Sequence, residues 1–303
     1  MAAPATIANL VCGFDILGMA LDDPTDFMEV SLCEEPGIFI EHKDEYRLPL
    51  EPEKNVAGAA LLSMLKEYES PLGIKLIIDK QIKPGSGLGS SAASSAGAVV
   101  AVNHLLNNYF CNNDLVRFAM AGEKVASGVK HADNIAPCIY GGITLIRSIL
   151  PLDIVSIPAP DLFVSVIHPQ IEIKTSDARQ ILRKQVLLKD AIIQWGNISG
   201  LIMGLVKNDH ALISRSMHDV IIEPIRSILI PGFKEIKNAC MEIGALGGGI
   251  AGSGPSLFML SSEKNTALEV EAQMKNIYDR IGVAYKTYVT NISNQGVRVI
   301  NAR

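Results

Sequence analysis

Cysteine is scarce in this sequence of 303 residues, and its placement excludes two kinds of structure. There are five cysteines, an odd number, and no two of them form a C-x-x-C pair. Neither a disulfide framework nor a cysteine-rich zinc site is therefore indicated, and a reducing compartment fits best. The first ten residues also lack a basic segment followed by an apolar one, so no secretory signal is predicted. A cytoplasmic location is expected.

Basic charge is also in deficit, because 27 lysines and arginines stand against 32 aspartates and glutamates, which gives a net charge of −5. No basic block stands out, so the long-range attraction on which nucleic-acid binding depends is missing, and no nucleic-acid partner is expected. The longest uncharged run, 243–260, contains glycines that would leave backbone groups unsatisfied in lipid. No membrane partner is expected either.

Aromatic residues make up only 5% of the chain, whereas 48% of the residues are hydrophobic. This balance predicts a sizeable core of helices packed on sheets, so the expected fold class is α+β. Clusters of β-branched and aromatic residues predict strands at 27–32, 38–41, 72–78, 139–146, 162–167 and 283–289, with a further pair around the glycine-rich run at 243–260. Helical periodicity predicts helices that start at Asn55, at Ser90 or Ser91 and at Asn113 or Asp114, and others at 176–182, 189–206, 210–218, 233–243 and 264–278.

Prolines cluster at Pro151, Pro158 and Pro160, where a connection between domains is expected. We therefore predict an N-terminal domain over residues 1–155 and a C-terminal domain over 156–303. The order of strands and helices in the later half is typical of a split β-α-β unit.

The most informative segment follows the strand predicted at 72–78 and leads into an alanine-rich helix. Its alternate glycines leave backbone N–H groups exposed, and the start of the helix adds a partial positive charge, so the segment can cradle an anion. A turn that merely caps a helix is the simpler interpretation, but the small residues on the first helical turn leave room for a polyphosphate. The segment lacks the Gly-Lys-Ser/Thr of a Walker loop and the distant acidic residue of a dinucleotide fingerprint. Candidate nucleotide-binding residues are Pro84, Gly85, Ser86, Gly87, Leu88, Gly89, Ser90, Ser91, Ala92, Ala93 and Ser94.

Within this segment, GLGSSAA at 87–93 resembles the second motif of the GHMP kinases, the superfamily of galactokinase and of homoserine, mevalonate and phosphomevalonate kinases. Near the N-terminus, APATIANLVCGFD at 3–15 resembles the first motif of the homoserine kinase family, and GGGIAGSGPS at 247–256 resembles the third superfamily motif. Segments at 122–123, 130–137, 175–179 and 222–226 also resemble that family. The matches follow the family order over almost the whole chain.

The sequence departs from the family pattern in three places. Val11 replaces a glycine that is common in the first motif, and Lys83 precedes Pro84 where a proline followed by an aliphatic residue is more usual. Family members usually place an apolar strand before the first motif, whereas only Met1 and Ala2 precede it here. Loss of that strand would expose a sheet edge, so a shortened start is expected.

The resemblance implies a fold and a reaction. The fold is the GHMP kinase two-domain fold, with an N-terminal ribosomal-protein-S5-domain-2-like α/β domain and a C-terminal ferredoxin-like split β-α-β domain. The reaction is the magnesium-dependent transfer of the γ-phosphate of ATP to the side-chain hydroxyl of L-homoserine, a step of threonine biosynthesis. A homodimer is also implied by the family.

The resemblance further implies roles for individual residues. Those expected around ATP are Ser91 and Glu123 as ligands of Mg²⁺ and Asn55 and Lys80 near the adenine. Those expected around homoserine are Arg179 and Arg226 at the carboxylate, Asp15 with Asn9 at the ammonium, His131 and Asn134 at the hydroxyl, and Thr175 and Gly252 as further contacts. Asp15, Asn134 and Glu123 are the expected catalytic residues, and which of Asp15 and Asn134 faces the reacting hydroxyl is left open.

The first motif lacks the lysine found in mevalonate kinases, so transfer without a dedicated strong base is expected, with the hydroxyl aligned by hydrogen bonds. Two alternatives stay open at this point. One is a GHMP kinase that acts on another small alcohol, and the other is a non-catalytic sensor that keeps the fold and binds a metabolite. Ser91 and Glu123 argue against the sensor, because such proteins commonly lose their metal ligands.

Overall fold

The structure, a computed structural model, describes residues 1–69, 71–173 and 175–300, and at residues 127, 175 and 176 it describes the backbone only. The expected α+β class is confirmed, because helices pack on two separate sheets. The strands of the first sheet are β1 Ala2–Ala8, β2 Leu17–Cys33, β3 Gly37–His42, β4 Gly73–Asp79, β5 Ile143–Ile149 and β6 Leu152–Ile157. Those of the second sheet are β7 Phe163–Pro169, β8 Gly247–Ile250, β9 Leu257–Ser261 and β10 Tyr285–Asn291.

The first sheet has the order β3-β4-β2-β5-β6, and β1 pairs antiparallel with the long strand β2. The first motif thus forms a strand itself: every residue of β1 is buried, and Ala2 also bridges Arg298 near the other end of the chain. The sequence predicted no strand here, because alanine and proline have low strand propensity. Burial between neighbouring strands and helices overrides that propensity.

Small side chains explain how the helices of the first half pack on this sheet. These helices are α1 Val56–Tyr68, α2 Ser90–Leu105, α3 Asn112–Ser127 and α4 Ile135–Tyr140. Alanine, serine and glycine dominate the first half of α2, so the helix is buried on nearly all sides and lies against β1, α1, α3 and α4. Close approach of this kind needs residues without bulk.

The strand predicted at 139–146 is only half correct. Residues up to Tyr140 are helical, Gly141 and Gly142 break the helix with positive φ angles, and the strand begins at Ile143. The β-branched residues around 139 suit a buried helix as well as a strand, so their type alone could not decide.

The second sheet has the antiparallel order β10-β7-β9-β8, which is the arrangement of the split β-α-β unit that the sequence predicted. Its helices are α5 Thr175–Gln180, α6 Leu188–Lys207, α7 His210–Ser216, α8 Glu223–Arg226, α9 Phe233–Ile243 and α10 Lys264–Ile281. In the described part of the chain, no helix combines the length and apolar character needed to cross a membrane.

The two sheets are joined by direct contacts between β2 and β10. Leu21 bridges Ile292, and the backbone N–H of Asp23 donates to Thr290 Oγ1 at 3.0 Å. The first sheet ends with β6 at Ile157, two residues beyond the predicted boundary at 155, and Pro158 and Pro160 lie in the connection that follows. The division into domains at that boundary stays a prediction.

Candidate active site

A cleft of about 700 Å³ is lined by residues from both halves of the chain. Its walls include the glycine-rich loop between β4 and α2, the turn after β1, the start of α4, Arg179 near the end of α5, and the loop between β8 and β9. All three segments that resemble superfamily motifs therefore meet at one opening, although they lie more than 70 residues apart in sequence.

The glycine-rich loop reaches the cleft with an unusual backbone. Gly85, Gly87 and Gly89 all have positive φ angles, between 68° and 82°. Gly89 is the N-terminal cap of α2, where the sequence predicted Ser90 or Ser91. A Cβ atom at Gly89 would lie 2.0 Å from Thr6 Oγ1, so only glycine fits between β1 and the start of α2. The loop and helix N-terminus together have the form of an anion cradle.

The third motif covers the middle of this loop. Ser256 Oγ donates to the carbonyl oxygen of Ser86 at 2.6 Å and is 3.1 Å from His168 Nδ1. The hydroxyl has one proton, which it gives to the carbonyl, so His168 Nδ1 must be the donor in the second contact. Burial lowers the pKa of His168 to about 4, so this histidine stays neutral at physiological pH. His168 could not be singled out from the sequence, because its partner lies 88 residues away.

Two residues expected near the adenine have side chains that already bond to other groups of the protein. Asn55 caps α1 by accepting from the N–H groups of Ala57 and Gly58, and its amide donates to the carbonyl of Pro49. The ammonium of Lys80 is buried and pairs with Asp26 at 2.6 Å. Lys80 lines the cleft, but the polar ends of both side chains have protein partners, so neither side chain is proposed to contact ATP.

Ser91 and Glu123 come together across the start of α2 and the end of α3. Ser91 Oγ donates to Glu123 Oε2 at 2.7 Å, beside the cradle. A hydroxyl and a carboxylate are hard oxygen donors, which is the ligand type that Mg²⁺ prefers, and two protein ligands leave coordination positions for phosphate oxygens and water. The residues present therefore fit a magnesium ion.

A charged pair lies at the other end of the cleft. Arg179 Nη2 donates to both carboxylate oxygens of Asp15, at 2.7 and 2.9 Å. His131 Nδ1 lies 3.4 Å from the same nitrogen. Burial lowers the pKa of His131, so the ring is neutral and accepts there, which leaves Nε2–H as a donor with no partner among the described residues.

The turn of the first motif positions Asp15. Asn9, Leu10 and Val11 all have positive φ angles, an uncommon conformation for residues other than glycine and a strained one for a β-branched valine. Within this turn, Asn9 Oδ1 accepts from the backbone N–H of Asp15 at 3.0 Å, and Asn9 Nδ2 donates to the carbonyl of Gly252 at 2.9 Å. The first motif is thereby tied to the third.

Arg226 is buried beneath the charged pair of Asp15 and Arg179. Its Nη1 donates to the same Gly252 carbonyl at 3.1 Å, and its guanidinium lies 4.9 Å from the ring centre of Phe14. The guanidinium of Arg179 lies 5.4 Å from that ring, so one aromatic side chain supports both arginines. Phe14 is part of the first motif, but no role for it was predicted from the sequence.

The other residues expected at the acceptor are placed as follows. Asn134 lines the cleft, and its Oδ1 accepts from Thr6 Oγ1 at 2.8 Å. Thr175 opens α5, but its side chain lies outside the described residues.

Asp133 also lines the cleft, and it lies in the segment 130–137, where the family resemblance implied no role for it. Its side chain is buried and accepts from the N–H of Asn134 at 3.1 Å, and no ion pair to it is found among the described residues. Burial, together with the negative charges of Asp15 and Glu123, raises the pKa of Asp133 to about 7. A strongly shifted acid in a cleft is typical of functional sites.

Comparison with known proteins gives relatives over the whole chain. Residues 55–142 match the family of GHMP kinases N terminal domains, and residues 201–280 match the GHMP kinases C terminal family. A homoserine kinase of Chlorobium phaeobacteroides is 42% identical, with 98% of each chain covered. A homoserine kinase of Methanocella arvoryzae is 39% identical, with 99% of this chain and 96% of the relative covered.

Solved structures agree with these relatives. The crystal structure of homoserine kinase from Cytophaga hutchinsonii has a TM-score of 0.93 at 47% identity and covers 97% of this chain and 95% of that one. An L. major mevalonate kinase in complex with R-mevalonate has a TM-score of 0.72 at 15% identity, over 98% of this chain and 96% of its own, a likeness that shows the fold alone. The two-domain fold implied by the motifs is confirmed.

Gly89→Ala should impair nucleotide binding, because the new methyl group would displace Thr6 and with it Asn134. We expect the affinity for ATP, measured by calorimetry, to fall by about tenfold or more, since each 1.4 kcal/mol lost is a factor of ten. Gly128→Ala is the matched control, because Gly128 also has a positive φ angle but its Cβ would meet nothing within 4 Å. Equal ATP affinities in the two variants would contradict this account of the loop.

Asp133→Asn should stabilise the protein increasingly as the pH rises from about 4 to about 7. Between the usual value of 3.8 and the raised pKa of about 7, folded Asp133 holds more protons than the unfolded chain does, so its contribution to stability falls with rising pH. Asparagine cannot ionise, and its oxygen can still accept from the Asn134 N–H. The melting temperature of the variant relative to the wild type should therefore climb over this range.

The difference between the two proteins is the quantity to measure. His168, with its lowered pKa, acts in the opposite direction over the same range, but it is present in both proteins and cancels. Asp161→Asn, at an exposed aspartate, is the control and should give no such trend. A melting-temperature difference for Asp133→Asn that stays constant with pH would refute the shifted ionisation.

Proposed function

The chain belongs to the homoserine kinase family of the GHMP kinases, and from that premise we propose that it transfers the γ-phosphate of ATP to the side-chain hydroxyl of L-homoserine in threonine biosynthesis. The proposal rests on the cleft, whose two ends offer different binding groups. An anion cradle with a pair of hard oxygen ligands lies at one end, and a pair of opposite charges suited to an amino acid lies at the other.

In the proposed complex, backbone N–H groups between Gly85 and Ser91 hold the phosphates of ATP, apart from those of Ser86 and Leu88, which donate to the Lys83 carbonyl and to Ser86 Oγ. Ser91 and Glu123 hold Mg²⁺, which when bound neutralises charge on the phosphates. The glycine-rich loop and the start of α2 provide donors whose positions do not depend on flexible side chains. This suits phosphoryl transfer, which depends more on alignment and charge neutralisation than on covalent help from the protein.

The acceptor end of the cleft suits a zwitterion. A free amino acid carries a carboxylate and an ammonium side by side, and Arg179 and Asp15 offer the complementary charges at a separation of 2.7 Å. We propose that Arg179 and Arg226 bind the carboxylate and that Asp15, held by Asn9, binds the ammonium. Mevalonate has a carboxylate but no ammonium, so this pair favours homoserine over that alternative.

The hydroxyl of homoserine would then point toward the glycine-rich loop between β4 and α2, which is the proposed phosphate loop. We propose that Asn134 and His131 orient it, with Thr175 and the carbonyl of Gly252 completing the pocket. The raised pKa of Asp133, about 7, makes its carboxylate a better base than an ordinary one, but still a moderate base. Transfer without a dedicated strong base therefore remains the proposal, with alignment of the hydroxyl as the main contribution of these residues.

The proposal is tested by the release of ADP that depends on homoserine. We expect wild-type protein with Mg²⁺ and ATP to release ADP when homoserine is added and to respond far less to mevalonate. Glu123→Ala should lower the turnover number by at least about a hundredfold, in the range seen when one charge-stabilising group is removed. Glu269→Ala, the same substitution on an exposed face of α10, should leave the rate unchanged. Equal rates in the two variants would contradict the role of Glu123.

We also propose that the protein is a cytoplasmic homodimer. An exposed apolar stripe runs along one face of α6 and consists of Leu188, Ile192, Trp195, Met203 and Val206. Exposed apolar surface of this kind is typical of protein interfaces, where tryptophan often contributes much of the binding energy. The cytoplasmic location is supported by cysteines that are all free thiols.

Light scattering should give a mass twice the 32.6 kDa of one chain. Trp195→Glu would place a charge in the centre of the stripe and should shift the protein to monomers. A monomeric wild type, or a Trp195→Glu variant that remains dimeric, would contradict this use of α6.

A further inference from the structure

A buried ion pair lies directly behind the phosphate loop, outside the proposed substrate contacts. Asp26, on β2, is completely buried, and the side chain of Lys80, just after β4, is 2% exposed. Their charged atoms are 2.6 Å apart. A buried pair of this kind contributes little net stability to a fold, because desolvation of the two charges offsets their attraction. A contribution to stability therefore does not explain why the pair is present.

Each member of the pair holds one end of the phosphate loop. Asp26 Oδ1 accepts from the N–H groups of Gln81 and Ile82 at 2.7 and 2.8 Å, which fixes the chain as it enters the loop. Lys80 Nζ donates to the carbonyl of Ser90 at 3.0 Å and to Ser94 Oγ at 2.8 Å, which fixes the first turn of α2 as the chain leaves the loop. The salt bridge connects these two anchors.

A further contact closes the loop at its base. Ser90 Oγ donates to the carbonyl of Ile82 at 2.7 Å, so the residue before the loop and the residue after it are bonded directly. The segment between them contains glycines with positive φ angles and would be costly to order without such restraints. Apart from Gln81, which is exposed, the residues of this network are buried, so water competes little for their hydrogen bonds.

We propose that Asp26 and Lys80 are positioning residues for ATP: the pair holds the entrance and exit of the phosphate loop so that its backbone N–H groups are already oriented when the phosphates arrive. The inference rests on the proposed function and extends it to two residues that do not touch the phosphates through their side chains. Because Lys80 neutralises Asp26, the buried carboxylate does not offset the partial positive charge that the α2 N-terminus offers to ATP. The loop is already ordered in the folded protein, so less conformational entropy is lost when ATP binds.

The test separates the effect on ATP from the effect on stability. Lys80→Met leaves Asp26 charged without its cation and should reduce both thermal stability and affinity for a non-hydrolysable ATP analogue, the latter by about tenfold. Adding Asp26→Asn removes the unpaired charge while an oxygen still accepts from the N–H groups of Gln81 and Ile82. The double variant should therefore regain stability, but its affinity for the analogue should stay low, because α2 is still unanchored.

Three further measurements sharpen the test. Val270→Ala, in the core around α10 and far from the loop, controls for a simple loss of stability and should leave analogue affinity unchanged. Ser94→Ala removes one contact of Lys80 without leaving a charge unpaired and should weaken binding by about threefold, a milder loss expected for one hydrogen bond. Hydrogen exchange at the amides of residues 85–94 should be faster in Lys80→Met and in the double variant than in the wild type.

In steady-state kinetics, the KM for ATP should rise much more than the KM for homoserine. The inference is overturned if affinity for the analogue recovers together with stability in the double variant, or if Val270→Ala loses as much affinity as Lys80→Met. If the wild type binds the analogue but the variants bind it equally well, the inference alone fails. If the wild type does not bind the analogue at all, the proposed function fails and the inference fails with it.

Discussion

Exposed backbone N–H groups at the start of a buried helix are the feature on which the rest of this site depends. A glycine-rich loop can present such groups to a polyphosphate, but the same glycines give the loop many conformations. In this protein the loop is restrained from three sides. Thr6 on β1 packs against Gly89, Ser256 of the third motif bonds to Ser86, and the Asp26–Lys80 pair holds both ends. The small residues of α2 allow β1 to approach closely enough for the first of these contacts.

The same three segments also build the acceptor end of the cleft. Asn9, in the left-handed turn after β1, connects Asp15 to the carbonyl of Gly252, and Arg226 donates to that carbonyl from below. A displacement of the third motif would therefore disturb both the phosphate loop and the charged pair of Asp15 and Arg179. This coupling explains why segments so distant in sequence form one site, and why the site requires both sheets.

Much of this arrangement could be predicted from the sequence, and the exceptions have physical causes. The helix cap at Asn55, the helix at 233–243 and the approach of Ser91 to Glu123 follow from local chemistry or from family motifs. The strand at β1 was missed because its residues have low strand propensity and are held by burial instead. Contacts between distant residues, such as Asp26 with Lys80 and Ser256 with His168, leave no periodic signal that a single sequence could reveal. Asp133 was overlooked for the same reason, because its raised pKa arises from burial and from charges on other elements.

The central claim is that the cleft joins ATP to a free amino acid that carries a hydroxyl, and the identity of the phosphorylated product tests it most directly. Phosphorus NMR of a mixture of the protein, ATP, Mg²⁺ and L-homoserine should show the γ-phosphate signal replaced by that of a phosphate monoester, with proton coupling to the side-chain methylene of homoserine. Without homoserine, or with mevalonate in its place, no monoester should form at a comparable rate. A monoester formed from mevalonate and not from homoserine, or loss of the γ-phosphate only as inorganic phosphate, would contradict the account.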